Sequence, residues 1–272
     1  MPTYTVASLQ GGSGKTTVAS ELAATLAQEG HRVLVIDLCA SGDLTTRMGL
    51  TPATEVTSVA ADALTGGDHP LVPEPAPGVP GAWVLAGTYD LATMRQCPDL
   101  VAEFATRLPG VAGQFDDVVI DTPPVLGPVK LAGLAAADLI VAASSCSTEG
   151  YDALVTLEQV LDHRLSSTGI RRGSRIDIIV PVRHDGRRLL DQEVLEAMAA
   201  AWPGRVTHPI REAVDVRDAY TSGQPLSRYA PTSPVAGDVT IATRQVLRLC
   251  RCTPCTRRYA PAGTPPLTSA PR

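Results

Sequence analysis

Gly11, Gly12 and Gly14, followed by Lys15, Thr16 and Thr17, form the densest chemical signal in this chain. Glycines at this spacing let backbone N–H groups crowd around phosphate oxygens, Lys15 adds a positive charge, and a helix starting there turns its positive dipole end toward the same anion. The Thr16 hydroxyl is then placed to ligate Mg²⁺, and Ser13 completes the loop. A nucleoside triphosphate is the expected ligand. Two further acids stand at the ends of apolar runs: Asp37 after VLVI, and Asp121 after VVI and before Thr122-Pro123-Pro124. In an open parallel sheet, ligands lie beyond the carboxyl ends of the strands, so Asp37 is expected to emerge beside the glycine loop.

The elements needed to hold these residues are legible as alternating apolar runs and helical stretches. Strands are expected over residues 3–9, 32–37, 82–86, 115–121, 138–143, 175–182 and 205–208. Helices are expected over 15–29, 57–64, 98–108, 129–137, 150–165, 188–201 and 235–251. Runs such as VLVI and LIVAA suit central strands covered on both faces, so the fold class is α/β, a doubly wound, mainly parallel sheet flanked by helices. Gly30 suits the left-handed position that closes the first helix. Residues 66–81, rich in proline and glycine, read as an exposed loop. Residues 1–252 read as one nucleotide-binding domain and 253–272 as a disordered proline-rich tail.

At 272 residues, 44% apolar and 19% charged, the chain can bury a full core. It shows no run long enough to span a membrane and no signal-peptide pattern, so a cytoplasmic protein without membrane contact is expected. The net charge of −5 is unevenly spread. Residues 1–163 hold 6 Lys/Arg against 19 Asp/Glu, a balance of −13, whereas residues 164–258 hold 16 Arg against 9 Asp/Glu, a balance of +7. The second half is a candidate polyanion-binding face. The only lysines are Lys15 and Lys130. Cys250, Cys252 and Cys255 could offer three thiolates to a metal or iron–sulfur cluster, without a fourth nearby ligand.

The loop QGGSGKTT fits the variant phosphate-loop pattern x-K-G-G-x-G-K-[ST]-T at every place but one, where Gln10 stands for lysine. With the segment VLVIDLCASGDLT and the segment FDDVVIDTPP, it resembles the deviant Walker A ATPases of the ParA/MinD group. Pro209-Ile210-Arg211 and Val216 to Pro225 loosely match that group's later I-P-R and G-x-P segments, so the resemblance spans about residues 3–251. It implies ATP·Mg²⁺ held by Gly11 to Thr17, metal contacts from Thr16 and Asp121, a γ-phosphate-sensing turn after Asp121, and the base near Pro181, Arg183 and Pro209. Catalytic positions carried over are Lys15, Asp37, Gln10 and Cys39. Cys39 stands where the family has its water-orienting Asp, and Gln10 where it has the lysine that reaches across a dimer. Both lack the expected charge, which implies weak hydrolysis.

The same resemblance implies an ATP-bound homodimer, nonspecific DNA binding through Arg183, Arg187, Arg188, Arg211 and Arg217, a ParB-like adaptor, and a role in plasmid or chromosome segregation. A nucleotide-dependent scaffold that positions a partner and never turns over is the alternative. A MinD-like membrane positioner would need an amphipathic C-terminal helix in place of the Arg/Cys/Pro-rich end, and an iron–sulfur carrier would need its Cys pair farther from the end.

Overall fold

The computed structural model describes residues 1–51, 54–67, 69–94, 99–165 and 175–252. Eight strands form a single sheet: β1 Thr3–Ala7, β2 Val33–Asp37, β3 Glu74–Pro75, β4 Ala82–Leu85, β5 Asp117–Asp121, β6 Leu139–Ser145, β7 Ile178–His184 and β8 Ile210–Arg211. Their order is β3-β4-β2-β5-β1-β6-β7-β8, parallel throughout except for the β3–β4 edge. The register Asp37↔Asp121 in β2–β5 and Val6↔Asp121 in β1–β5 brings both acids level with the end of β1. After β5 the chain crosses β1 to lay down β6, so the loops leaving β1, β2 and β5 open at the point where strand order reverses.

Alternation along each strand explains the unbroken apolar runs. Val33 and Val35 face the side covered by helices Lys15–Gln28 and Pro234–Cys252, where Leu22, Leu26, Val239 and Val246 are buried. Leu34 and Ile36 face the other side, against Phe104 of helix Leu100–Ala112 and Ala132 of helix Pro128–Ala136. Each such fully buried side chain contributes roughly 1.5–3 kcal/mol, which holds the strand ends in fixed register beneath the loops. Gly30 closes the first helix at φ 91°, as the sequence implies.

Three local expectations need correction. The stretch 205–208 is no strand: only Val206 bridges Ile179, and Pro209, without an N–H, interrupts the ladder so that β8 forms at Ile210–Arg211 instead. Residues 66–81 are not simply an exposed loop. Glu74–Pro75 pairs as an edge strand, where proline is tolerated, and Ala76 and Val79 enter the core. A Cβ on Gly78 would meet the Gly223 carbonyl at 2.8 Å and Met48 carbonyl carbon at 2.9 Å, so the glycine there permits close packing and not looseness. The helix expected to stop at Leu108 runs to Ala112 with Pro109 inside it, because Val111 and Ala112 are buried in the core cluster that also holds Phe115. Short helices Asp43–Arg47, Asp90–Thr93, Asp215–Thr221 and Leu226–Tyr229 join the expected ones. The proposed tail and Cys255 lie outside the described residues, as do the side chains of Cys250 and Cys252.

Candidate nucleotide site and its relatives

The loop between β1 and helix Lys15–Gln28 has the form needed for a polyanion. Gly12 and Gly14 adopt φ 69° and 74°, and around Gly11 and Gly12 a Cβ would find nothing within 4 Å. The free space on that side is a cavity of about 580 Å³ bordered by Gly11 to Thr17, Leu38 to Ser41 and the 123–130 segment. Lys15, 6% exposed, donates from Nζ to the Gln10 carbonyl at 3.1 Å and to Ser13 Oγ at 3.4 Å. Burial lowers its pKa, and the Asp121 charge opposes that shift. Thr17 lines this cavity and a second one.

Thr16 Oγ1 donates to Asp121 Oδ2 at 2.7 Å, while Asp121 Oδ1 is buried without a hydrogen-bond partner. A buried unpartnered carboxylate oxygen beside a hydroxyl and a lysine is a poor arrangement by itself and a good one for a hard cation. The residues present therefore fit Mg²⁺ as well as phosphate. Burial pushes the Asp121 carboxyl up, and the Asp37 charge pushes it further, to about 7.

Asp37, Cys39 and Asp121 lie together, their ligand atoms within 4.8 Å of one another. Yet Asp37 is occupied by its own loop. Oδ1 accepts from the Cys39 N–H at 3.0 Å, and Oδ2 accepts from the Thr45 N–H and hydroxyl, each at 2.9 Å. The resemblance places Asp37 among the catalytic positions; in this structure both its oxygens also hold the 39–45 segment in shape. Thr45 was not singled out in the sequence, and only its place eight residues after a strand-end acid could have marked it. Cys39 Sγ lies 3.9 Å from Asp121 Oδ2. Burial, and then the charges of Asp121 and Asp37, keep its thiol protonated.

Gln10 does not point away from its own chain: Ser145 Oγ donates to its Oε1 at 2.9 Å. Arg183 is the one non-glycine residue with positive φ among the described residues, at 57°, in a bulge between Val182 and His184 where β7 meets β8. It borders a second cavity of about 430 Å³ that shares Gly12, Gly14 and Thr17 with the phosphate loop and is walled by Val182, Ile210 and Val216. Pro181 lies within β7 and Pro209 borders a different hollow, so neither is among the residues lining this one. Arg183, Arg211 and Arg217 border the second cavity, and Arg187, Arg188 and Arg211 border the hollow beside Pro209. The five arginines named from the sequence thus gather near the ends of β7 and β8.

A family model described as an AAA domain matches residues 1–168, more than half of the chain. The chromosome-partitioning ATPase Soj of Thermus thermophilus is 34% identical over 244 residues, covering 85% of this chain and 89% of that protein. The chain belongs to the ParA/MinD-type partition ATPase family. Fold comparison agrees. Apo McdA from Cyanothece superposes with a TM-score of 0.75 at 23% identity, covering 91% of this chain and 99% of the other. The septum site-determining protein MinD from Pyrococcus horikoshii, a complex with Mg-ADP, gives 0.69 at 20% identity, covering 92% and 97%. Among the described residues no helix is long and apolar enough to cross a membrane.

Proposed function

We propose that this ParA-like chain, with residues 1–252 as one working domain, binds ATP with Mg²⁺, dimerises in that state, and holds DNA without sequence preference in plasmid or chromosome segregation. A ParB-like adaptor is the expected protein partner. The observation that carries the reading is the Thr16–Asp121 hydrogen bond beneath an open glycine loop, with Asp121 Oδ1 left unpartnered. Bound there, Mg²⁺ would supply charge neutralisation at the phosphate oxygens. Lys15 is placed to swing from the Gln10 carbonyl to a phosphate, a short exchange of one oxygen acceptor for a better one.

Hydrolysis is expected to be slow. A protonated Cys39 thiol does not accept a proton from water, and Gln10 is neutral and held by Ser145. The same observation favours the second reading, a nucleotide-gated scaffold that positions a protein without turnover. ATP binding, dimerisation and phosphate release measured together, with and without DNA, decide between them. Lys15→Ala should weaken ATP affinity by about tenfold or more, and equal affinities in calorimetric titration would overturn the nucleotide assignment.

A further inference from the structure

Lys130 is the second of the chain's two lysines and is completely shielded from solvent. It sits in the first turn of helix Pro128–Ala136, which follows the turn after Asp121. Its Nζ donates to the Ser8 carbonyl at 2.5 Å, the Pro123 carbonyl at 2.8 Å and the Pro124 carbonyl at 3.1 Å. An ammonium has three protons, so every donor is used, and no carboxylate is among the acceptors. Ser8 is where β1 gives way to the phosphate loop, while Pro123 and Pro124 form the turn after the metal-side acid. One side chain therefore ties the root of the loop to that turn.

A neutral donor could make such a tie without the desolvation cost of a buried ammonium. Burial indeed lowers the Lys130 pKa to about 7, and the neighbouring Lys15 charge acts in the same direction, against the Asp121 charge. Lys15 and Lys130 are both among the residues bordering one cavity whose glycine loop suits a polyanion, and an anion bound there favours the positively charged form of each. Gln10 brings no charge to it and is held within its own chain. The anion that relieves this excess best is the one with the most charge, a triphosphate.

We propose that Lys130 is a positioning residue for ATP: it locks the Pro123-Pro124 turn to the root of the phosphate loop and supplies from inside the chain positive charge that Gln10 does not bring, so that ATP is favoured over ADP. This rests on the nucleotide reading above. Lys130 acts through the turn and through its field, because its protons are all committed to carbonyls.

The test is calorimetric titration of the full chain with a non-hydrolysable ATP analogue and with ADP, both with Mg²⁺, in the parent, Lys130→Met and Lys130→Gln. Lys130→Met should weaken the ATP analogue by about tenfold and ADP by less than about twofold. Lys130→Gln keeps N–H donors without charge. It should lose the preference for ATP while hydrogen–deuterium exchange over residues 122–131 stays slow, whereas Lys130→Met exchanges faster there. Equal weakening of both nucleotides, or no change in either, would reduce Lys130 to a strut and overturn the proposal. Retention of full ATP preference by Lys130→Gln overturns the charge argument. A parent chain that takes neither nucleotide overturns the nucleotide reading and this one with it, so the two failures are told apart by ADP binding. If neither variant folds, the parent still decides: the ATP analogue must slow exchange over 122–131 more than ADP does, and equal slowing is the overturning result.

Discussion

Asp121 is held between two demands, a buried site that disfavours its charge and a cation site that needs it. Its pKa is raised by burial first and by Asp37 second, to about 7, above the ordinary carboxylate range of the unfolded chain. A raised folded-state value means that the native protein binds this proton more tightly than the unfolded one. The associated stability is fully present below the ordinary carboxylate pKa and is lost as pH rises through about 7. Metal-free, nucleotide-free protein should therefore melt at lower temperature at pH 8 than at pH 5.5, and Asp121→Asn should flatten that slope; scanning fluorimetry in chelator checks it, and parallel slopes would contradict it. Asp37 contributes in the same direction, since burial raises it too, whereas the lowered Lys130 opposes both over this range, so the Asp121→Asn comparison isolates the share of that carboxyl. A second outcome concerns turnover. Gln10→Lys combined with Cys39→Asp should raise phosphate release above the parent, and an unchanged rate with ATP still bound would refute the account of slow hydrolysis. The phosphate loop, Thr16 and Asp121 were legible in the sequence because their chemistry is confined to one short motif and two strand ends. The holding role of Asp37 was not, because it depends on Thr45 folding back onto it; nor was the role of Lys130, whose three acceptors come from segments more than a hundred residues apart in part.

Glu21 shows how an element far along the chain is fixed by the helix that starts at the phosphate loop. It is buried in helix Lys15–Gln28 and accepts from the N–H groups of Leu226, at 2.5 Å, and Ser227, at 3.2 Å. These are first-turn donors of helix Leu226–Tyr229, which have no partner inside so short a helix. Burial raises the Glu21 pKa, with those hydrogen bonds and the Arg47 charge opposing the shift. Glu21→Ala leaves the two buried N–H donors without an acceptor, so unfolding in urea should show a loss of about 1–3 kcal/mol. A loss below about 0.5 kcal/mol, the range of an ordinary surface change, would show that the cap carries nothing. Central strands and long helices were readable from period and apolar runs. The edge was not: Glu74–Pro75, Ile210–Arg211 and the four short helices depend on contacts such as Gly78 on Met48, which no local pattern encodes.

At the scale of the whole molecule, a chain of net charge −5 must present its positive half locally if it is to hold DNA. The arginines at the ends of β7 and β8 are not bare. Arg187 and Arg188 share Asp185 at 2.8 and 3.5 Å, Arg183 pairs with Glu212 at 3.0 Å, and Arg211 pairs with Asp238 at 2.6 Å. Exposed pairs of this kind are worth about 0–1 kcal/mol, so a phosphodiester can compete for the guanidinium. Arg187, with 91% of its side chain exposed, and Arg188 place two positive charges on one acid, and Arg217 has no ion pair among the described residues. Arg211 is different, because its partner Asp238 is only 6% exposed and would be left with His208 at 3.4 Å and one backbone N–H in place of the guanidinium. Charge reversal of Arg187 and Arg188 should therefore lower DNA affinity for every sequence tested and reduce the slope of log affinity against log salt by about one to two units, with ATP affinity unchanged. Arg211→Glu should instead lower the melting temperature. Mobility shifts of the ATP-bound protein on unrelated duplexes at several salt concentrations measure the slope; an unchanged slope in the double variant would remove these arginines from the DNA face, and no retention by the parent at low salt would favour the scaffold reading.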